Sequence, residues 1–155
     1  MLLTGLTHPQ ILEALAAAGH GSQVLISDGN FPSLTAPHPG ARRVYLNLRP
    51  GMVTVTDILA ALRLVVPIEK AVLMDADDGE EVAVHAELVG LLGPETRVGH
   101  VARTDFYTAT RSDDLALVIA SGDERWYANI LLTLGSSLEG ERGMEPQGSA
   151  SASLR

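Results

Sequence analysis

Three short runs of apolar residues constrain the fold of this 155-residue chain more than any other feature. They are QVLIS at 23–27, KAVLMD at 70–75 and LALVIAS at 115–121. Their length is typical of strands, and side chains that are apolar almost throughout indicate strands buried on both faces of a sheet. Because helical patterns separate the runs, the sequence predicts an α/β fold, a three-layer sandwich around a mostly parallel central sheet.

The segments between these runs complete the predicted architecture. Helices are predicted over 8–18, 56–66 and 80–92, the second with Thr56 as its N-cap, and further strands over 42–48 and 96–102. Residues 103–112 are predicted to form a short helix or turn, whereas the pattern at 127–135 fits a strand or a helix. From Ser136 onward the composition turns to Ser, Gly, Glu and Pro. We therefore expect one domain at 1–135 and a disordered tail at 136–155.

Composition and charge exclude several classes of function. The net charge of −8 and the pI near 5.0 leave no basic surface for phosphates, so a nucleic-acid partner is not expected. No apolar run reaches the ~20 residues that span a bilayer, and the N-terminus lacks the pattern of a signal peptide. The chain has no cysteine, which excludes disulfides and thiol catalysis and favours a cytoplasmic location.

Nucleotide and metal motifs are also missing from the sequence. Gly19-His20-Gly21 precedes the first predicted strand instead of following it, and no P-loop with its Lys-Ser/Thr pair occurs. The five histidines lie singly along the chain, unlike the paired ligands of zinc motifs. Asp75, Asp77 and Asp78 resemble the start of a calcium loop that lacks the required later glutamate. We therefore predict neither a metal nor a cofactor.

His20 and Asp28 flank the first predicted strand and are the leading candidates for chemistry. Asp28 falls at the carboxyl end of that strand, where α/β sheets bind ligands. Imidazole groups exchange protons near neutral pH, which suits general acid/base work. Taken singly, His20 fits a histidine at a helix end and Asp28 fits a turn carboxylate. Their combination with Arg103, Tyr107 and Tyr127 further along the chain favours a functional site.

Two separated motifs resemble the D-ribose pyranase / L-fucose mutarotase family. They are AAAGHGSQVLISDGNFP at 16–32 and RTDFYTATRSDDLALVIASGDERWYANILLTLG at 103–135, and the similarity extends from about Leu2 to Gly135. The resemblance implies an α/β sandwich that assembles into ring-like decamers with sugar sites at subunit boundaries. It further implies that the protein interconverts cyclic forms of an unphosphorylated monosaccharide without a metal or a cofactor.

The resemblance also implies roles for individual residues. His20 corresponds to the family's general acid/base histidine, and Asp28 corresponds to its sugar-binding carboxylate. Tyr127 and Asn129 match a Tyr-x-Asn motif that contacts sugar hydroxyls. Tyr107 or Tyr127 is expected to relay a second proton or to orient a hydroxyl. Because a strand of five residues spans ~17 Å, one end of the first strand can serve the site of a neighbouring subunit.

The residues that differ between the branches of the family favour an L-fucose-like substrate. Arg103 falls where the fucose branch has arginine and the ribose branch has histidine, and it is expected to bind a sugar oxygen. Phe31-Pro32 also matches the fucose branch, but Gly29 and Asn30 replace its usual alanine and histidine. Three alternatives therefore stay open: a ribose pyranase-type activity, a non-catalytic monosaccharide-binding accessory protein, and a purely structural oligomer.

Overall fold

Helices and strands alternate along residues 2–136, the part of the chain that the computed structural model describes. The helices are α1 (Pro9–Ala17), α2 (Val55–Leu62), α3 (Ala83–Leu91) and α4 (Arg103–Ala109). The strands are β1 (Gln23–Ser27), β2 (Arg42–Tyr45), β3 (Ile68–Met74), β4 (Arg97–Val101), β5 (Leu115–Ala120) and β6 (Ile130–Leu134). None of these helices is long and apolar enough to cross a lipid bilayer. All but the first residue of the predicted tail lies outside the described residues.

The strands form one six-stranded sheet in the order β2-β5-β1-β6-β3-β4. Parallel pairing joins β1 to β5, β5 to β2, and β3 to β4, whereas β6 runs antiparallel between β1 and β3. All strands except β6 therefore point in the same direction, which confirms the predicted α/β fold with a mostly parallel sheet. The segment at 127–135, whose pattern fitted two states, supplies the antiparallel strand.

Side chains along the central strands alternate between two hydrophobic cores, one on each face of the sheet. Val24 and Ile26 of β1 pack with the apolar sides of α1, α2 and α3. Leu25, between them in sequence, packs on the opposite face with Phe31 and with Phe106 of α4. All three β1 side chains are fully buried, and burial of each contributes about 1.5–3 kcal/mol. The sheet is thus covered on both sides, as the prediction of three layers requires.

The start of α2 differs from the prediction because a local capping group sets it. Thr54, not Thr56, caps α2: the Thr54 hydroxyl accepts from the Asp57 amide, and the Asp57 carboxylate accepts from the Thr54 amide. This reciprocal capping box satisfies two otherwise unpaired donors. The helix then ends at Leu62 instead of 66, and α3 begins at Ala83 instead of 80.

Candidate functional site

The carboxyl ends of β1 and β3 and the segment before β6 enclose a cavity of about 130 Å³. Its lining includes every candidate residue except His20, namely Asp28, Arg103, Tyr107, Tyr127 and Asn129. Parallel strands bring their carboxyl ends to one edge of the sheet, which explains why residues far apart in sequence meet there. The structure therefore brings residues of the two separated motifs together in one cavity.

Asp28 and Asn129 form an interlocked pair at the base of this cavity. The Asn129 side-chain amide donates to Asp28 Oδ2 at 2.8 Å, and the Asp28 backbone amide donates to Asn129 Oδ1 at 2.9 Å. Asp28 Oδ1 accepts from the backbone amides of Asn30 and Phe31, both at 2.9 Å. These bonds hold the carboxylate and the amide in fixed orientations, the arrangement that recognition of hydroxyl groups requires.

Burial raises the pKa of Asp28, because the carboxylate side chain is largely removed from water. Hydrogen bonds from Asn30, Asn129 and Phe31 act in the opposite direction but do not cancel the effect of burial, and the charge of Asp123 adds to it. In its ionised form Asp28 has about four lone-pair positions, of which the three bonds above use three. One acceptor position is left for a ligand.

Tyr127 reaches the cavity through an uncommon backbone conformation. Its φ of 61° lies in the left-handed region, which bulky residues rarely adopt. Two contacts hold it there: the Asp77 amide donates to the Tyr127 hydroxyl at 3.4 Å, and His85 Nε2 donates to the Tyr127 carbonyl at 3.1 Å. Burial lowers the pKa of His85, which favours the neutral ring in this position. Backbone conformations of this kind persist where the surroundings over-determine them, often at functional sites.

Arg103 and Tyr107 project from α4, where they lie one turn apart. The Arg103 Nε donates to Asp77 Oδ1 at 3.2 Å and forms an ion pair with Asp77 Oδ2 at 2.9 Å. The Tyr107 ring stacks on Phe31 with ring centres 5.0 Å apart and an angle of 26° between the planes. Phe31 in turn meets the buried Phe106 ring edge-on. Phe31 and Tyr107 thus give the cavity an aromatic wall that Phe106 supports from the core.

A second, wider cavity of about 460 Å³ opens beside the first and shares two lining residues with it, Asn30 and Trp126. Trp126 is the chain's one tryptophan and is 71% exposed. Its place at the cavity could not be predicted from the sequence, because a lone tryptophan carries no periodic or spacing signal. An exposed indole at the mouth of a polar cavity can stack on an apolar ligand face.

Asp123 stabilises the loop at 121–124, which lines the wider cavity. Its carboxylate accepts a two-pronged contact from Arg125, at 2.9 and 2.7 Å, and a further bond from the Val55 amide at the start of α2. Burial alone would raise the pKa of Asp123, but the bonds from Arg125 and Val55 outweigh it and lower the pKa. The Asp123 carbonyl also accepts from the Gly29 amide at 2.8 Å, which links this loop to the end of β1.

His20 lies at the opposite edge of the sheet, before the start of β1. Its side chain is 59% exposed, and Nε2 donates to Glu69 Oε2 at 2.9 Å. It lines a separate cavity of about 330 Å³ with residues of the α1 end and the β6 end. Within one chain, therefore, the predicted acid/base histidine does not reach the cavity that contains Asp28.

Comparison with known proteins places the chain in a family. The model of the RbsD / FucU transport protein family matches residues 1–137. The chain belongs to this family. A D-ribose pyranase of Paracidovorax citrulli (strain AAC00-1) is 33% identical over 140 residues, which cover 87% of this chain and 98% of that protein. A fucose mutarotase of Danio rerio is 27% identical over 139 residues, covering 82% and 87%.

The RbsD/FucU family also includes solved structures of similar fold. FucU from Bifidobacterium longum matches with a TM-score of 0.71 and 30% identity, over 85% of this chain and 98% of that one. Family membership confirms the resemblance seen in the two sequence motifs. Relatives of both branches are present, and the relative at 33% identity bears the ribose name.

Proposed function

We propose that this protein is a cytoplasmic enzyme that interconverts the anomers of an unphosphorylated, L-fucose-like monosaccharide by opening and reclosing the sugar ring. The observation that supports this most is the convergence of Asp28, Asn129, Arg103 and the two tyrosines on one cavity. Vicinal sugar hydroxyls both donate and accept hydrogen bonds. An interlocked carboxylate and amide match that pattern and discriminate against sugars that lack the matching hydroxyl.

The charges around the cavity favour a neutral sugar over a sugar phosphate. Arg103 is the one cationic side chain among the described lining residues, and Asp77 already pairs with it. The carboxylates of Asp28 and Asp77 would repel a phosphate dianion at this short range. A site built for phosphate would instead present unpaired arginine or backbone amides.

Mutarotation requires two coordinated proton movements. The anomeric hydroxyl loses a proton while the ring oxygen gains one, and the resulting open aldehyde recloses on its other face. A group that titrates near neutral pH can do both steps, and such a group contributes about 10²–10⁴-fold. Tyr107 and Tyr127 line the cavity and are proposed to orient hydroxyls or relay one of the protons. No imidazole lines the cavity within residues 2–136 of a single chain.

We infer that a second copy of the chain supplies this imidazole through His20. The ring is exposed, stands between Gly19 and Gly21, and is held by the Glu69 carboxylate, so that it can be presented to another surface. β1 holds His20 and Asp28 at opposite edges of the sheet, and an assembly of copies can bring such edges together. A homo-oligomer, a decamer by the resemblance of the sequence, would complete every site in this way.

A ribose pyranase-type activity is the second candidate. The relative that is 33% identical is named for it, and Gly29 and Asn30 depart from the fucose pattern. The chemistry is shared up to the open aldehyde, after which a different hydroxyl closes the ring. The same residues would therefore serve, and only the hydroxyls that the pair recognises would differ.

Exchange NMR on unlabelled sugars tests the proposal directly, because it measures interconversion of ring forms at equilibrium. We expect catalytic amounts of protein to accelerate exchange between the anomers of L-fucose. Acceleration confined to the pyranose–furanose exchange of ribose would replace the first candidate with the second. Exchange at the buffer rate for fucose, ribose and galactose, together with a sugar-dependent change in Trp126 fluorescence, would establish a binding accessory instead.

A further inference from the structure

We propose that Asp75, His85 and His100 form a binding site for a divalent transition-metal ion of the zinc class. One ligand atom from each residue lies within 4.8 Å of those from the other two. Asp75 follows β3, His100 lies in β4 next to it, and His85 lies on α3. The site shares no residue with the lining of the Asp28 cavity and does not depend on the proposed activity.

The topology of the sheet brings these residues together from distant positions. In the parallel β3–β4 ladder Leu73 stands opposite His100, which places His100 beside the end of β3. His100 Nδ1 donates to Asp75 Oδ1 at 2.9 Å, and an ion bound by both side chains would replace this proton, which is released to solvent. The rings of His85 and His100 meet with their centres 5.4 Å apart and their planes tilted by 56°. Two imidazoles and a carboxylate thus face a common space.

The hydrogen bond of His85 prepares it to bind a metal. A backbone carbonyl only accepts, so Nε2 of His85 carries the proton that it donates to the Tyr127 carbonyl at 3.1 Å. The lone pair of the ring is therefore on Nδ1. Histidines that bind metals are oriented in this way by a carbonyl or carboxylate on the other ring nitrogen. His85 is also buried, so α3 and Tyr127 hold its ring in place.

The donor set selects the class of ion. Two imidazole nitrogens and one carboxylate oxygen suit Zn²⁺ and its first-row neighbours, whereas Mg²⁺ and Ca²⁺ prefer oxygen alone. Ligand atoms around a tetrahedral Zn²⁺ stand roughly 3.4 Å apart, given Zn–N distances of about 2.1 Å. The side chains of His100 and Asp75 are 46% and 48% exposed and can close the difference by rotation.

The surroundings of the cluster also favour a cation. The cluster opens into a cavity of about 460 Å³, and the same cavity is lined by Glu80 and Glu81. No lysine or arginine is among the described residues that line it. The three donors leave a coordination position open toward this cavity for water or a further ligand.

The chain offers a matched control in His38 and Asp113. These two side chains also form a histidine–aspartate pair, with Nε2 and Oδ1 3.2 Å apart, His38 partly exposed and Asp113 fully exposed. No second imidazole is grouped with them among the described residues. Substitutions at this pair remove the same functional groups from the surface without affecting the proposed ligands.

Calorimetric titration of the full chain with Zn²⁺, with Co²⁺ absorption as a second readout, tests the site. We expect one ion per chain, and we expect His100→Gln and Asp75→Asn each to weaken binding by about 100-fold or more, since loss of even an outer-shell partner costs about 10–100-fold. His38→Gln and Asp113→Asn should bind as the wild type does. His85→Gln should abolish binding while the circular dichroism spectrum stays native.

The proposal is overturned if the wild type binds no ion at one per chain. It is equally overturned if His100→Gln and Asp75→Asn retain wild-type affinity, or if His38→Gln loses as much affinity as they do. Both decisive substitutions are at half-exposed positions, so a result can be read even if His85→Gln does not fold.

Discussion

The two edges of the sheet differ in how they hold their polar groups. At the carboxyl edge Asp28 and Asn129 are buried, bond to each other twice and are fixed by neighbouring backbone amides. At the amino edge the candidate acid/base residue, His20, is 59% exposed and has one partner, Glu69. The polar side chains of the first edge are thus buried and fixed, whereas the candidate side chain of the second edge faces solvent.

This difference shows that neighbours in sequence can belong to different sites of the same chain. His20 and Asp28 are eight positions apart, yet β1 keeps them at opposite edges. Asp28 and Asn129 are separated by 101 positions and are in direct contact. In the proposed function the two edges therefore have different tasks: one edge recognises the sugar, and the other supplies proton transfer to a neighbouring copy.

The largest expected effect is on the rate of anomer exchange, and it comes from substitution of His20 at the amino edge. His20→Ala should slow anomer exchange by about 10²–10⁴-fold, because it removes the proposed proton carrier. It should change the free energy of unfolding by less than about 0.5 kcal/mol, because the side chain is exposed. Exchange NMR and urea unfolding at a fixed protein concentration measure the two quantities.

His38→Ala is the control, since it removes another histidine that is paired with an acidic residue. It should leave the exchange rate unchanged. Loss of the oligomer in His20→Ala would contradict the account and would assign His20 a structural role.

Substitutions in the buried Asp28–Asn129 pair should lower the free energy of unfolding. Asn129→Asp places a carboxylate against the Asp28 carboxylate and removes a donor, so the free energy of unfolding at pH 7 should fall by about 3 kcal/mol. In the exchanged pair, Asp28→Asn with Asn129→Asp, a side-chain amide again donates to a carboxylate. This double variant should recover most of the stability that Asn129→Asp loses. Urea unfolding of the single and double variants measures the coupling.

Asn47→Asp is the matched control, because this asparagine is exposed at the rim of the wider cavity. Asn47→Asp should lower the free energy of unfolding by less than about 0.5 kcal/mol. An exchanged pair no more stable than the worse single variant would refute the interlocked geometry.

Much of the fold could be predicted because buried strands and helices have characteristic patterns of apolar residues in the sequence. The strands buried on both faces consist of continuous apolar runs, and all three predicted runs are strands. The ends of α2 were harder to predict because Thr54 and Thr56 both suit an N-cap. Only the reciprocal bond from Asp57 selects the first of them. The direction of β6 depends on its insertion between β1 and β3, which its own pattern does not encode.

The site could be predicted where a general rule or a motif applied. Asp28 followed from the rule that ligands bind at the carboxyl ends of strands, and Asn129 from the resemblance of the Tyr-x-Asn motif. The grouping of Asp75, His85 and His100 was missed, because spacing motifs detect ligands on one local segment. These residues meet only through the register of β3 with β4 and the packing of α3.

The smallest expected effect concerns pH and compares two carboxylates at the same edge. The pKa of Asp123 is lowered in the fold, so its contribution to stability is present above its unfolded pKa and is lost as the pH falls through the folded pKa. The pKa of Asp28 is raised in the fold, so ionisation of Asp28 destabilises the folded state. The stability that protonated Asp28 contributes at low pH is lost as the pH rises through its folded pKa.

Asp123→Asn should therefore lower the free energy of unfolding at pH 7 and flatten its decline below about pH 4, the range of unperturbed carboxylates. Urea unfolding between pH 3 and 7 checks this. Asp113→Asn, an exposed carboxylate, is the control and should leave the curve of the wild type intact. A decline as steep in Asp123→Asn as in the wild type would exclude the role of Asp123.

The central claim is that His20 of one copy serves the Asp28 cavity of another. It is tested most directly by mixing two inactive variants: His20→Ala, and a cavity variant that carries Arg103→Gln with Tyr127→Phe. Co-expressed in equal amounts, they should form mixed oligomers in which about one quarter of the sites pair an intact His20 with an intact cavity. The account predicts anomer exchange at about one quarter of the wild-type rate. Exchange in the mixed oligomers no faster than in the separate variants would contradict it.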